Sequence, residues 1–224
     1  MYGGICYNGF MKIGVFDSGK GGTTVLEAIR HRLPDEEYIY VADAKNCPYG
    51  EKSDEELFKI VDDIVSNLLE QGAKIIVIAC NTATTRCIAH LREKFPDTPF
   101  IGTEPAVKLA TKLGGKKILV LATPGTASSE RLLQIIEQNM TDQTIDIVSC
   151  PGLADAIEND QDVDGLLAKL LETAPKDYDT VVLGCTHYSL IKDRIASFFS
   201  KAKLIDGNDG VARRVEELIR DLKK

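Results

Sequence analysis

Two cysteines sit in matching surroundings 105 residues apart, Cys80 within AKIIVIACNTAT and Cys185 within DTVVLGCTHY. Each closes a run of apolar, β-branched residues and is followed by short polar side chains, Asn81-Thr82 and Thr186-His187. That pattern places a thiol at the carboxyl end of a buried strand, where a helix begins. Ligands of open parallel sheets bind outside such strand ends. The first backbone N–H groups of a helix suit an anion such as a carboxylate. They also favour a thiolate, so both thiols are expected to have lowered pKa values. Two acid/base groups on opposite faces of one carbon can remove its proton from one side and return it from the other. The bland alternative is a pair of core cysteines, alike only by ancestry.

Other residues qualify this picture. The stretch Gly14 to Gly22 (GVFDSGKGG) starts like a phosphate-binding G-x-x-x-x-G-K motif, but Gly21 stands where Ser or Thr must hold Mg²⁺. It reads better as a tight strand-to-helix turn that brings backbone close to a small anionic ligand. Asp17 and Ser18 then face the cleft, with helix capping as the competing role for Asp17. Of three histidines, His31 and His90 lie in charged helical stretches and read as solvated surface. His187 alone has a chemical context, two residues after Cys185, where it can handle protons for the thiol. A C-x-H pair without a further ligand cluster is weak evidence for a zinc site.

These residues need a scaffold. Strands are predicted over 12–16, 38–42, 74–79, 100–101, 117–121, 145–148, 180–184 and 203–205. Helices are predicted over 22–32, 53–71, 83–94, 105–113, 128–138, 163–173, 189–199 and 211–222. Ser53 with Glu56 forms a capping box. The strand–helix alternation implies an α/β fold with mainly parallel sheets. A shift of 105 residues lays MKIGVF (11–16) on KKILVL (116–121), Cys80 on Cys185 and Gly102 on Gly207. The chain is therefore expected to form two pseudo-symmetric α/β lobes with the site in the cleft between them. Residues 11–102 plus 208–224 would make the first lobe and 103–207 the second, with 1–10 a loose extension that includes Cys6.

Composition narrows the class. Apolar residues make up 44% and charged residues 27%, the balance of a chain that buries a core. A net charge of −7 argues against nucleic acid as the main partner. The longest notable apolar run, Ile75 to Cys80, is six residues, far too short for a membrane span. The first ten residues lack Lys, Arg and an apolar core, so they do not read as a secretory leader. The six cysteines (Cys6, Cys47, Cys80, Cys87, Cys150 and Cys185) contain no CxxC pair, which suits a reducing cytoplasm.

FDSGKGGTTV (16–25), CPYG (47–50), ACNTAT (79–84) and GCTHY (184–188), in this order, closely resemble the glutamate racemases. These are the cofactor-independent branch of the aspartate/glutamate racemase superfamily. The resemblance runs from Met11 to about Leu218. It implies that Cys80 and Cys185 are the acid/base pair, Cys80 working on D-glutamate and Cys185 on L-glutamate. Asp17 and His187 would assist their proton transfers. Substrate would be held by Asp17, Ser18, Tyr49, Gly50, Asn81, Thr82, Thr186 and His187. It also implies Glu158, in the stretch CPGLADAIE (150–158), as a further acidic assistant. No metal or organic cofactor is expected, and a cytoplasmic homodimer supplying D-glutamate for peptidoglycan is. Where the family carries Tyr in a T-x-x-S-x-x-Y pattern, this chain has Thr126, Ser129 and Leu132. Racemisation of another amino acid such as aspartate, or of a hydantoin, remains open, as does a binding protein that has lost catalysis.

Overall fold

A computed structural model describes residues 10–223. Its core is two separate four-stranded sheets, all parallel, with orders β2-β1-β3-β4 and β6-β5-β7-β8. The first contains β1 (Lys12–Asp17), β2 (Glu37–Ala42), β3 (Ile75–Ile78) and β4 (Phe100–Gly102). The second contains β5 (Lys117–Ala122), β6 (Thr144–Ser149), β7 (Thr180–Gly184) and β8 (Lys203–Ile205). The central strands β1, β3, β5 and β7 are buried along nearly their whole length, as expected for strands covered by helices on both faces.

The first sheet is covered by α1 (Thr23–Arg32), α2 (Asp54–Glu70) and α3 (Asn81–Lys94). The second carries α4 (Val107–Lys112), α5 (Pro124–Ala127), α6 (Glu130–Asn139), α7 (Leu153–Glu158), α8 (Val163–Leu170), α9 (Thr186–Leu190) and α10 (Lys192–Phe198). The last helix, α11 (Asn208–Leu222), returns to the first sheet. There Val211, Ala212, Val215 and Ile219 share one apolar cluster with Ile13, Val15, Val25 and Ile29. Each sheet thus has two clusters, one on each face.

The 105-residue repeat is visible as a repeated strand order. It holds for the two central strands, since β1 and β5 start at 12 and 117 and β3 and β7 at 75 and 180. The edge strands depart from it: β2 and β6 start 107 residues apart (144 − 37), and β4 and β8 103 apart (203 − 100). The offset is kept in the central strands and drifts at the edges.

Two other expectations need correction. The predicted helix over 189–199 is two pieces, α9 and α10, meeting at Ile191. The first starts at Thr186, directly after Cys185. The short helices α5 and α7 had no clear amphipathic repeat and were not anticipated. The capping box is present, with the Glu56 N–H donating to Ser53 Oγ at 3.2 Å. His90 is half-buried rather than solvated, stacked on Phe58 and paired with Asp62 at 2.9 Å. Cys6 and most of the expected extension lie outside the described residues.

Candidate active site

Cys80 and Cys185 end corresponding strands and stand at the N-caps of α3 and α9, both buried. Both adjoin the turn after β1: Cys80 contacts Ser18, and Thr186, next to Cys185, donates to Asp17. Their immediate partners differ. Cys80 Sγ accepts the Ala83 N–H at 3.5 Å, and its thiol donates to Ser18 Oγ at 3.6 Å. Cys185 Sγ lies 3.8 Å from His187 Nδ1. His187 is fully buried, and its Nε2 is 2.8 Å from Glu158 Oε2 at the end of α7. A chain Cys185–His187–Glu158 therefore runs from the thiol to a carboxylate. Glu158 also accepts the Lys20 N–H at 2.8 Å, which ties it to the turn after β1.

That turn requires its glycines. A Cβ on Gly19 would lie 2.4 Å from Glu158 Oε2, and one on Gly21 2.5 Å from the His187 backbone nitrogen. Only a bare backbone lets the turn reach α7 and α9 so closely. Asp17, at the end of β1, is completely buried and does both jobs considered for it. Its carboxylate accepts the N–H groups of Gly19 (3.2 Å) and Gly22 (2.9 Å), which caps the turn. It also accepts the Thr186 hydroxyl at 3.2 Å, across the gap between the sheets. Burial raises the Asp17 carboxyl above its ordinary value, opposed by the nearby His187 charge and by these hydrogen bonds.

The lowered thiol pKa values expected from helix N-termini are not found. Burial pushes the Cys80 thiol up to about 11, with Asp17 adding to the rise and the Ala83 N–H opposing it. Cys185 is raised well above its ordinary value, again by burial first and then by Cys80 and Asp17. Desolvation of a small anion in a closed cleft outweighs one or two helix N–H groups.

The remaining expected residues divide into two groups. Asn81, Thr82, Ser18 and Thr186 are buried with the thiols. Asn81 Oδ1 has no hydrogen-bond partner, an orphaned acceptor at the start of α3. Thr82 Oγ1 instead spans the two halves, 2.9 Å from Thr123 Oγ1 and 3.2 Å from Thr126 Oγ1. Tyr49 is buried, but its hydroxyl donates to Asp43 Oδ2 at 2.7 Å. Gly50 packs against Thr123 and Gly125, where a Cβ would come within 3.3 Å of Thr123. A surface groove of about 1000 Å³ is lined by Gly50, Lys52, Arg86 and Ser128 and does not include the thiols. Leu132, in place of the family's Tyr, is wholly buried in a core cluster.

Sequence reading missed Cys47, which is half-buried and lies close to Glu158 and His187. Those three residues are far apart in the chain, and only the CPYG motif hinted at the position. It also missed Tyr40, whose hydroxyl donates to Gly19 O at 2.9 Å and braces the glycine turn.

Two like-ordered parallel sheets, with a thiol at the end of the same strand in each and a carboxylate and an imidazole beside them, define a two-lobed α/β protein of the racemase class. The profile of the Asp/Glu/Hydantoin racemase family matches residues 20–215. The glutamate racemase of Lachnospira eligens is 41% identical over 220 residues, covering 93% of this chain and 82% of its own. That of Pseudomonas aeruginosa is 43% identical over 220 residues, covering 92% and 81%. The Escherichia coli glutamate racemase, solved in complex with L-glutamate and the activator UDP-MurNAc-ala, superposes with a TM-score of 0.85 at 35% identity. That match covers 94% of this chain and 83% of the other. The chain belongs to this family, among its glutamate racemases.

Proposed function

We propose that the protein interconverts L- and D-glutamate by proton transfer at Cα between Cys80 and Cys185. The observation that carries this reading is the pair of buried thiols at corresponding strand ends, beside the Asp17–Thr186 contact that joins the two halves. Mutual repulsion favours one thiolate and one thiol at a time, the state a two-base reaction needs. The thiolate takes the Cα proton and becomes a thiol. The carbanion, its charge spread into the carboxylate, then takes a proton from the opposite thiol, which is left as the thiolate. The N–H groups that open α3 and α9 suit the substrate carboxylate. The orphaned Asn81 Oδ1 supplies an acceptor for its ammonium group. Asp17, His187 and Glu158 hold charge and protons around the thiols, and Ser18, Thr82, Thr186, Tyr49 and Gly50 shape the cleft.

In this reading residues 11–102 with 208–224 are one lobe and 103–207 the other, supported by the packing of α11 on α1. Because the thiols are closed off, substrate gains access when the lobes part. The five described cysteines are all unpaired, in keeping with a cytoplasmic protein. The family resemblance supports a homodimer that supplies D-glutamate for peptidoglycan; sedimentation checks the dimer. Among the described residues no helix is long and apolar enough to cross a membrane.

Purified protein in D₂O, with no cofactor added, tests the activity. Deuterium should enter Cα of either glutamate enantiomer, with loss of optical rotation. Exchange with aspartate or a hydantoin but not glutamate would move the substrate. No exchange with any of them would leave a binding protein.

A further inference from the structure

Cys47, Glu158 and His187 come from three separate segments: the connection between β2 and α2, the end of α7, and α9. One donor atom from each lies within 4.8 Å of the other two. The set comprises a thiol, a carboxylate oxygen and a ring nitrogen. The reaction proposed above uses Glu158 and His187 but assigns nothing to Cys47. We propose that these three side chains form a site for a zinc ion, and that zinc bound there switches the enzyme off.

The donor chemistry selects the metal. Thiolate and imidazole together favour Zn²⁺ over Mg²⁺ or Ca²⁺, which prefer oxygen. Zinc bonds of about 2.0–2.3 Å to N, O and S put tetrahedral ligands about 3.3–3.7 Å apart. Side-chain rotations of about 1 Å close the set to that geometry, and the 2.8 Å contact between His187 and Glu158 opens slightly. On binding, the Cys47 sulfur–hydrogen bond breaks, its proton leaves to solvent and a zinc–sulfur bond forms, with no change of oxidation state. Water fills the fourth position.

The inhibitory consequence rests on the proposed racemase chemistry. His187 Nε2 faces Glu158, so zinc takes that nitrogen and fixes the ring hydrogen on Nδ1, 3.8 Å from Cys185. The imidazole can then no longer accept a proton on either nitrogen, and Glu158 is drawn from the Lys20 N–H that holds the glycine turn. The metal thus disables the assistants of one thiol without touching either thiol.

The test uses the full chain, freed of metal with a chelator, and cobalt(II) as the probe. A sulfur-to-cobalt charge-transfer band should grow and saturate at one cobalt per chain. It should be absent in Cys47→Ser and Cys47→Ala and present in Cys80→Ser. Zinc should lower wild-type racemisation more than tenfold, with recovery on adding chelator. Cys47→Ser should turn over like wild type and need at least tenfold more zinc for the same loss. A band that survives in Cys47→Ser but vanishes in Cys80→Ser would place the metal between the reacting thiols and overturn the proposal, as would no band at all. A Cys47-dependent band without inhibition would overturn the switch. The spectrum reads the site even if glutamate is not the substrate, so failure of the proposed function and failure of the metal site are distinguishable.

Discussion

Cys80 and Cys185 occupy the same place in the two sheets but are supported by different means. Cys80 opens a helix of 14 residues, accepts the Ala83 N–H and donates its thiol proton to the Ser18 hydroxyl oxygen. Cys185 opens a helix of only five residues and makes no side-chain cap. Its neighbour is a titratable ring, His187, backed by Glu158. The neighbours of Cys80 are groups that do not titrate. The second sheet relies on groups that can gain or lose a proton. Repetition of the fold supplied the symmetry that flanking a carbon requires, and local chemistry then broke it.

The comparison is broken most severely by removing either sulfur. Cys80→Ala and Cys185→Ala should each lower racemisation by at least about 10³-fold, since every turnover needs one base and one acid. The Ser variants separate the faces. Elimination from a β-substituted glutamate needs only one base, so Cys80→Ser should keep it for the L-isomer and Cys185→Ser for the D-isomer. If both keep the same isomer, the thiols do not flank the carbon. If both racemise near normally, they are core residues.

A smaller effect is expected on the second side alone. His187→Asn should slow turnover about 10²-fold and cost about 1–2 kcal/mol of stability, because Glu158 loses a buried partner. Unchanged turnover with a lowered unfolding midpoint would make His187 structural. Glu158→Gln keeps a hydrogen bond and should be milder, about tenfold.

On the first side, Ser18→Ala removes one weak contact to Cys80 and should slow turnover only about two- to tenfold. Both thiols lie above their ordinary values, so near neutral pH little thiolate is present. Each unit of pH below the lower of the two values changes that fraction about tenfold, so kcat/KM should rise from about pH 6.5 to 8.5. Ser18→Ala should move this limb to higher pH. A flat profile would show that substrate binding, not the closed cleft, sets the thiol ionisation.

Stability should respond in the opposite direction. The folded chain holds its thiol protons more tightly than the unfolded chain, as at Cys47, Cys87 and Cys150, each raised to about 12 by burial. In that window the unfolded state binds fewer protons, so unfolding free energy falls as pH rises above about 9. Chemical denaturation at pH 8 and 10 checks the sign, and Cys87→Ala should flatten the fall.

Much of this was legible because periodicity and punctuation are local. Short apolar, β-branched runs marked the central strands, and the shared 105-residue offset paired Cys80 with Cys185. The Ser53–Glu56 capping box was readable for the same reason. What was not legible depends on packing. No local pattern shows that Cys80 is closed off from water, so its thiol was expected to move down and instead moves up. The approach of Cys47 to Glu158 and His187 comes from three loops or helix ends meeting, which no spacing encodes. The split of one predicted helix at Ile191 was not legible because no Gly or Pro marks the break between α9 and α10.

The packing of α11 on α1 bears on the order in which the chain is made. Strands β1 to β4 leave the ribosome first, yet the cluster under them lacks Val211, Ala212, Val215 and Ile219 until the whole second sheet has followed. The later sheet has all its own helices first and can close while the earlier one still shows an apolar face. Domains generally fold from the amino end during synthesis. Here the earlier sheet must wait for α11, made after the whole second sheet, and in the interval that uncovered face is the surface a chaperone would hold.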